Sequence, residues 1–420
     1  MQILTDYHQL KAQVQSIARR FDMQGADVQK VKNTVQQILQ QVRLEGLNAV
    51  SRLSRQIDSF ELKEPYISCE GEFTKLSQEQ QEAISLASKR IRDFQIASLP
   101  AENTLQQAEN KLSVISRPIG SVGVYIPGGQ APLLSTVLMT VIPAQVAGVK
   151  RLVLTSPPPV HRYVLGVADH LGIEEILQVG GAQAIASLAY GLEDINLEPV
   201  DKIVGPGNLF VTLAKKEVYG EVGIDGLYGP SELVIVADAS ANPLNIAHDL
   251  IAQLEHGSGM EASCLFTDSE QLAQEVSFHL EEIIPKQPHE SAIRKSSQKY
   301  GLIGIVDKLE QAADLVNISA PEHLELKVQD PDKLLPLINN AGAIFLNGCN
   351  EALGDYLAGP SHCLPTGRAA RFSGGLSVLD FLKRSSLVDI QARSELIQKT
   401  AILARMEGLE AHAQAAEKLL

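Results

Sequence analysis

Short apolar runs closed by Gly, Pro, Ser or an acidic or amide residue recur through the middle of the chain, with stretches of helical period between them. VGVYIP (122–127), RLVLTS (151–156), EILQVG (175–180) and DKIVGP (201–206) form one series. ELVIVAD (232–238), SCLFTDS (263–269), LIGIVD (302–307), HLELKV (323–328) and AGAIFLN (341–347) form another, interleaved with helical segments such as NIAHDLIAQLEH and QLAQEVSFHLEEII. Strands alternating with helices predict parallel sheets covered by helices, so the expectation is two α/β units. A length of 420 residues agrees, being too great for one ordinary core.

The flanks have a different texture. From residue 1 to about 115 the spacing is mostly helical, as in VKNTVQQILQQVRLEGLNAVSRLSRQI and SQEQQEAISLASKRIRDFQ. After about residue 372 the sheet signal stops, and ELIQKTAILARMEGLEAHAQAAEKLL reads as helix to the end, a natural dimerisation arm.

Charge and cysteine usage narrow the function. The formal net charge of −14 works against a nucleic-acid partner, because displacing phosphate counterions needs a basic surface. No apolar run approaches the roughly 18 residues that cross a bilayer, and the first twenty residues lack the apolar core of a secretion signal. Cys69, Cys264, Cys349 and Cys363 are scattered, without the close pairs of a disulfide framework or thiolate metal knot, which fits a reducing cytoplasm. A small-molecule substrate is the expected partner.

Four stretches could carry chemistry. In DLIAQLEHG, Gln253 and His256 are three apart on a helix and share one face, although a polar helix end closed by Gly257 explains them as well. In GDYLAGPSHCLPTG, Asp355 and His362 occupy a Gly- and Pro-rich loop after a strand, where open α/β sheets bind ligands; an Asx-turn and a solvated imidazole are the plainer reading. In APEHLEL, Pro321 bars helix continuation and leaves Glu322 and His323 at a loop mouth. A histidine there can take a proton near neutral pH and a glutamate can draw one from water; alternatively the pair is a buried Glu beside a capping His. His412, in EGLEAHAQAA, reads by itself as a surface histidine. IPGGQAP, VGGAQAIASLAYG and VGPGNLF follow expected strands without forming GxGxxG, so a variant nucleotide site and ordinary tight turns both remain open.

Taken together, RPIGSVGVYIPGG, VLMTVIPAQVAGVK, VGGAQAIASLAYG, DKIVGPGN, GPSELVIVAD, DLIAQLEHG, APEHLEL, NAGAIFLN, GDYLAGPSHCLPTGRAARFSGGLSVLDFLKR and EGLEAHA resemble, in order, the histidinol dehydrogenase family. Tyr228, Leu254 and Ser361 depart from the family's commonest form. The resemblance implies a four-electron, NAD-dependent oxidation of L-histidinol to L-histidine through bound L-histidinaldehyde, closing histidine biosynthesis. It implies one Zn2+ per subunit on Gln253, His256, Asp355 and His412, the last from the partner of a homodimer. It further implies Glu322 and His323 as the catalytic pair, Ser231, His362 and Glu407 as added substrate contacts, and Tyr125, Gln183 and Asn208 at the NAD+ site. The ligands and His323 would also touch substrate. The implied fold is two Rossmann-like domains lacking the standard fingerprint, with helical N- and C-terminal extensions forming an intertwined dimer. Residues 22–124 and 232–372 would form a discontinuous catalytic domain and 125–231 an inserted NAD-binding domain, while 1–21 and 373–420 would be the helical arms. A paralogous zinc and NAD dehydrogenase acting on another small polar alcohol is the alternative.

Overall fold

A computed structural model describes residues 1–21, 25–101, 103–107, 110–128, 133–255, 259–391 and 393–419. The chain divides into two units: Met1–Leu99 with Ile119–Phe381, and Pro100–Pro118 with Leu382–Leu420.

In chain order the strands are β1 (Gln2–Leu4), β2 (Asn103–Gln107), β3 (Asn110–Pro118), β4 (Ser121–Tyr125), β5 (Arg151–Thr155), β6 (Glu175–Leu177), β7 (Lys202–Val204), β8 (Gly223–Ile224), β9 (Glu232–Ala237), β10 (Ala262–Thr267), β11 (Gly301–Ile305), β12 (His323–Lys327), β13 (Ala343–Leu346) and β14 (Leu382–Asp389). The large unit holds two parallel sheets, ordered β1-β11-β10-β9-β12-β13 and β6-β5-β4-β7-β8.

Both sheets are covered on both faces, which is why their strands read as continuous apolar runs. In β9, Leu233 and Ile235 join one core with the helix Pro243–Leu254, while Val234 and Val236 join another with Leu10, Val14 and Ile17. Around the five-stranded sheet, Val122 and Val124 pack on the helix Leu134–Ala147. Tyr125, Val153 and Ile203 face the other core, with Val35, Ile38, Leu39 and Val42.

Three expectations change. Residues 1–21 are not purely helical: Gln2–Leu4 add an edge strand to the six-stranded sheet through β11. The helices Ala26–Glu45 and Leu47–Leu53 pack on the five-stranded sheet, not beside the strands 232–346 with which 22–124 was grouped, and β4 is itself a central strand of that sheet. The chain after 372 also contains a strand, β14.

That strand belongs to the small unit, where β14, β3 and β2 form an antiparallel sheet and Ser394–Met406 and Glu410–Glu417 are helices. In the two helices only Ile397, Ala401 and Ala413 are buried. Leu387, Val388, Ile390, Leu396, Leu403 and Met406 are exposed. Among the described residues no helix is long and apolar enough to cross a membrane.

Candidate active site

The helix Leu309–Ser319 ends at Ala320, a residue with a Cβ held at φ +47°. Left-handed backbone costs such a residue roughly 1–2 kcal/mol, and here the strain immediately precedes the Glu322–His323 pair. Pro321 has no N–H, but its carbonyl accepts from Gly342, and the Glu322 carbonyl accepts from Ala343 (both 2.9 Å). A Cβ on Gly342 would stand 2.5 Å from the Glu322 carbonyl oxygen, so only glycine permits this approach.

Alternation along β12 then organises the site. Leu324 and Leu326 enter the apolar core, whereas His323, Glu325 and Lys327 share the opposite face. The chain leaving β13 runs back along that polar face. Lys327 Nζ donates to the Cys349 carbonyl (2.7 Å), Glu325 accepts from the Glu351 N–H (2.7 Å), and His323 Nε2 lies 3.2 Å from Asp355 Oδ1. Asp355 is thereby returned to the amino end of β12. The expectation of a site beyond carboxyl strand ends is corrected for this sheet: Ser231, Glu322 and His323 all precede or begin their strands. Pro206, which follows β7 in the five-stranded sheet, lines the same pocket.

That pocket, about 160 Å³, is lined by Ser231, Glu322, His323, Asp355, His362, Thr136 and Tyr228 among others. A cavity of about 510 Å³ adjoins it, sharing Tyr228, Gly229 and Thr366. Glu322 Oε2 accepts the Glu232 N–H at 3.1 Å and stands 3.8 Å from His323 Nδ1. Burial pushes the Glu322 carboxyl up to about 7, against the His323 charge that favours ionisation. For His323, burial acts downward, but Glu351, Glu322 and Asp355 outweigh it and push the imidazole up to about 10. His323 Nδ1 is buried without a hydrogen-bond partner among the described residues, and the ring stacks on Phe345 with centroids 6.0 Å apart. His362 Nδ1 lies 3.1 Å from the Asp355 carbonyl, which makes Nδ1 the donor and leaves Nε2, 3.4 Å from Thr136 Oγ1, as acceptor.

The other expected residues are distributed as follows. Gln253 is fully buried near the end of its helix, and in the amide orientation that satisfies both groups its nitrogen donates to the two Glu351 oxygens at 3.0 and 2.9 Å. His256 lies outside the described residues. Tyr125 and Gln183 are buried with local partners: the Tyr125 hydroxyl accepts from Gly181 N (3.2 Å) and Gln183 donates to Asp58 (3.3 Å). Asn208 caps the helix Leu209–Val218. Glu407 and His412 are exposed residues of the small unit. Of the departures from the common pattern, Tyr228 donates its hydroxyl to Asp225 (2.9 Å), Ser361 donates to the Met139 carbonyl (3.1 Å), and Leu254 is core.

Sequence reasoning missed Glu351 and Arg20. The i, i+4 spacing of Glu351 and Asp355 was visible, but the π-helical turn Gly354–Ala358 that carries Asp355 was not. The ligand atoms of His323, Glu351 and Asp355 lie within 4.8 Å of one another. Of these, Asp355 with the Gln253 amide nearby offers the oxygen donors that suit a divalent cation, while His323 beside them is left for proton transfer.

Arg20 comes from the supposed arm and donates to Glu232 Oε1 (2.9 Å) and to the carbonyls of Met260 (2.6 Å), Pro230 (2.9 Å) and Ser231 (3.1 Å). It thus fixes both Ser231 and the strand whose N–H holds Glu322. Arg20→Ala leaves Glu232 buried and uncompensated, with an expected loss of about 3–5 kcal/mol in urea unfolding. A midpoint equal to that of the parent chain would remove this role.

Close approach of one backbone to another marks the carboxyl edge of the five-stranded sheet. Gly205 sits at φ +112°, and a Cβ there would lie 2.2 Å from the Tyr125 carbonyl oxygen. Strand order reverses between β4 and β7, and the loops after these strands flank the switch point at which such sheets receive nucleotides.

Comparison with known proteins supplies the family. The histidinol dehydrogenase family model matches residues 22–419. Histidinol dehydrogenase 2 of Nostoc sp. is 44% identical, covering 100% of this chain and 98% of the relative. The histidinol dehydrogenase of Thermus thermophilus is also 44% identical, over 95% and 97%. A crystal structure of histidinol dehydrogenase from Elizabethkingia anophelis superposes with a TM-score of 0.92 at 32% identity, over 100% of this chain and 97% of that one. An acetylating aldehyde dehydrogenase from Geobacillus thermoglucosidasius shares the fold alone, with a TM-score of 0.51 at 15% identity over 91% and 96%. The chain therefore belongs to the histidinol dehydrogenase family, whose members are NAD-dependent oxidoreductases.

Proposed function

We propose that this chain oxidises L-histidinol to L-histidine in two NAD+-linked steps, holding L-histidinaldehyde between them. The observation that carries this reading is the juxtaposition of Glu322, His323 and Asp355 with Ser231 and His362 in one pocket. Asp355 orients the His323 ring through Nε2, so Nδ1 is the atom left to take the carbinol hydroxyl proton. Glu322 then draws a proton from the water that adds to the aldehyde, and His323 takes the hydroxyl proton of the hydrate. Ser231 and His362 bind substrate.

The donors at the site fit a divalent cation, and Gln253, His256, Asp355 and His412 of the partner subunit would hold Zn2+. Bound there, it would hold the imidazole and amino nitrogens of substrate and offset the carboxylate charge that keeps a proton on His323. NAD+ accepts the electrons of both oxidations. Tyr125, Gln183 and Asn208 would shape its site, through the Gly181 N–H, the contact with Asp58 and the start of the helix Leu209–Val218. A homodimer is favoured by the small unit, whose exposed apolar residues on strand and helices exceed what its own few buried residues can cover. A cytoplasmic setting fits four free cysteines, three of them buried.

The test is NADH formation by zinc-loaded protein supplied with L-histidinol, beside a chelated sample. About two NADH per L-histidine, with activity lost on chelation and restored by Zn2+, is the expected result. Stoichiometric zinc without turnover would transfer the reading to another small polar alcohol. Turnover that survives metal removal would remove the metal assignment.

A further inference from the structure

Two cavities of very different size meet in the large unit, and three residues border both: Tyr228, Gly229 and Thr366. The smaller, about 160 Å³, is the pocket of Ser231, Glu322 and His323; the larger, about 510 Å³, has apolar walls from Phe21 and Leu376. Gly229 brings no side chain to the boundary, and the Thr366 hydroxyl accepts the Gly229 N–H. The bulk between the two spaces is therefore the Tyr228 ring. It is held at its edge and on its face: the hydroxyl donates to Asp225 Oδ2 (2.9 Å), and the Lys215 ammonium lies 4.8 Å from the ring centroid. Asp225 and Lys215 form an ion pair whose side chains are each 1% exposed. Both are anchored to the Gly205 backbone, Asp225 accepting its N–H (2.7 Å) and Lys215 donating to its carbonyl (2.9 Å). Swinging the ring away would take a donor from a buried carboxylate, which is costly, so the partition is rigid.

From this arrangement we infer that Tyr228 is a specificity-determining residue, whose clamped ring closes the substrate pocket against the larger cavity and limits the site to compact imidazole alcohols. A closed pocket of about 160 Å³ is smaller than the roughly 300–1,000 Å³ that drug-sized ligands occupy, whereas the two spaces joined would fall within that range. Loss of the ring is what would join them. The apolar walls of the larger cavity then decide which chemistry gains, namely an imidazole that carries an apolar ring. The inference rests on the proposed reading that a substrate imidazole is held beside Asp355.

The probes are imidazole and 4-phenylimidazole, titrated by calorimetry into the zinc-loaded full chain. Both present the same ring nitrogens, so the ratio of their affinities reads the space beyond the imidazole. In the parent chain the phenyl group should bring no gain. In Tyr228→Ala the ratio should move by about 10–100-fold in favour of 4-phenylimidazole, the worth of burying a side chain of that size. Tyr228→Phe keeps the ring and loses only the hydroxyl, so its ratio should stay within about threefold of the parent. A parent-like ratio in Tyr228→Ala, or a ratio in Tyr228→Phe risen as far as that of Tyr228→Ala, overturns the partition. Should Tyr228→Ala fail to fold, Tyr228→Val decides: a gain for 4-phenylimidazole supports the partition, and a parent-like ratio overturns it. The histidinol reading is judged separately, by NADH formation in the parent chain. Its failure alongside a shifted ratio in Tyr228→Ala would remove the substrate and leave the wall.

Discussion

Replacing His323 with alanine should lower turnover of L-histidinol by about 10²–10⁴-fold, the range over which a positioned general base acts, while zinc content stays at the parent level. The reason lies in how the ring is held. It is 3% exposed, stacked on Phe345 and fixed at Nε2 by Asp355, which leaves Nδ1 as the atom that can accept a proton. Both oxidations use that atom, so the variant should be slow with histidinol and with histidinaldehyde alike. Loss of the base does not remove a proposed zinc ligand, so metal content and metal affinity are the control. His323→Asn keeps a polar side chain beside the carboxylates and should be as slow as His323→Ala, because asparagine cannot carry a proton between steps. Turnover within about tenfold of the parent would leave His323 as a structural residue only.

Much of this arrangement was legible in the residues, and what was hidden has physical causes. Strands buried on both faces announced themselves as apolar runs, since Leu233 and Ile235 serve one core and Val234 and Val236 another. By contrast, β14 is exposed along nearly its whole length and carries no such signal, and Gln2–Leu4 is a three-residue edge strand in front of an amphipathic helix. Within the site, the residues contiguous in APEHLEL and GDYLAGPSH were visible as candidates. Their meeting was not, because it depends on the chain after β13 running back along β12 to bring Asp355 to His323. Glu351 and Arg20 were hidden for the same reason: each acts on a neighbour distant in sequence, Gln253 and Glu232, and neither stands in a motif of its own.

Glu322→Gln should divide the two oxidations. The Glu322 carboxylate accepts the Glu232 N–H, a bond that the amide oxygen of glutamine can keep, so the pocket should retain its shape. What glutamine cannot do is take a proton from water. Oxidation of added histidinaldehyde should therefore fall by about 10²–10⁴-fold, whereas the first oxidation of histidinol, read as the early phase of NADH formation, should stay within about tenfold of the parent. Equal losses in the two steps would remove the division of labour, and parent-like rates in both would remove Glu322 from the chemistry. The same variant tests the dimer. If His412 of the partner subunit completes each metal site, a His412→Ala subunit lends an intact Glu322 to a site whose ligand comes from its Glu322→Gln neighbour. Mixed dimers of these two inactive variants should then recover up to about half of the activity per parent site. No recovery, with exchange of subunits verified, would place His412 in the same subunit as the pocket it serves.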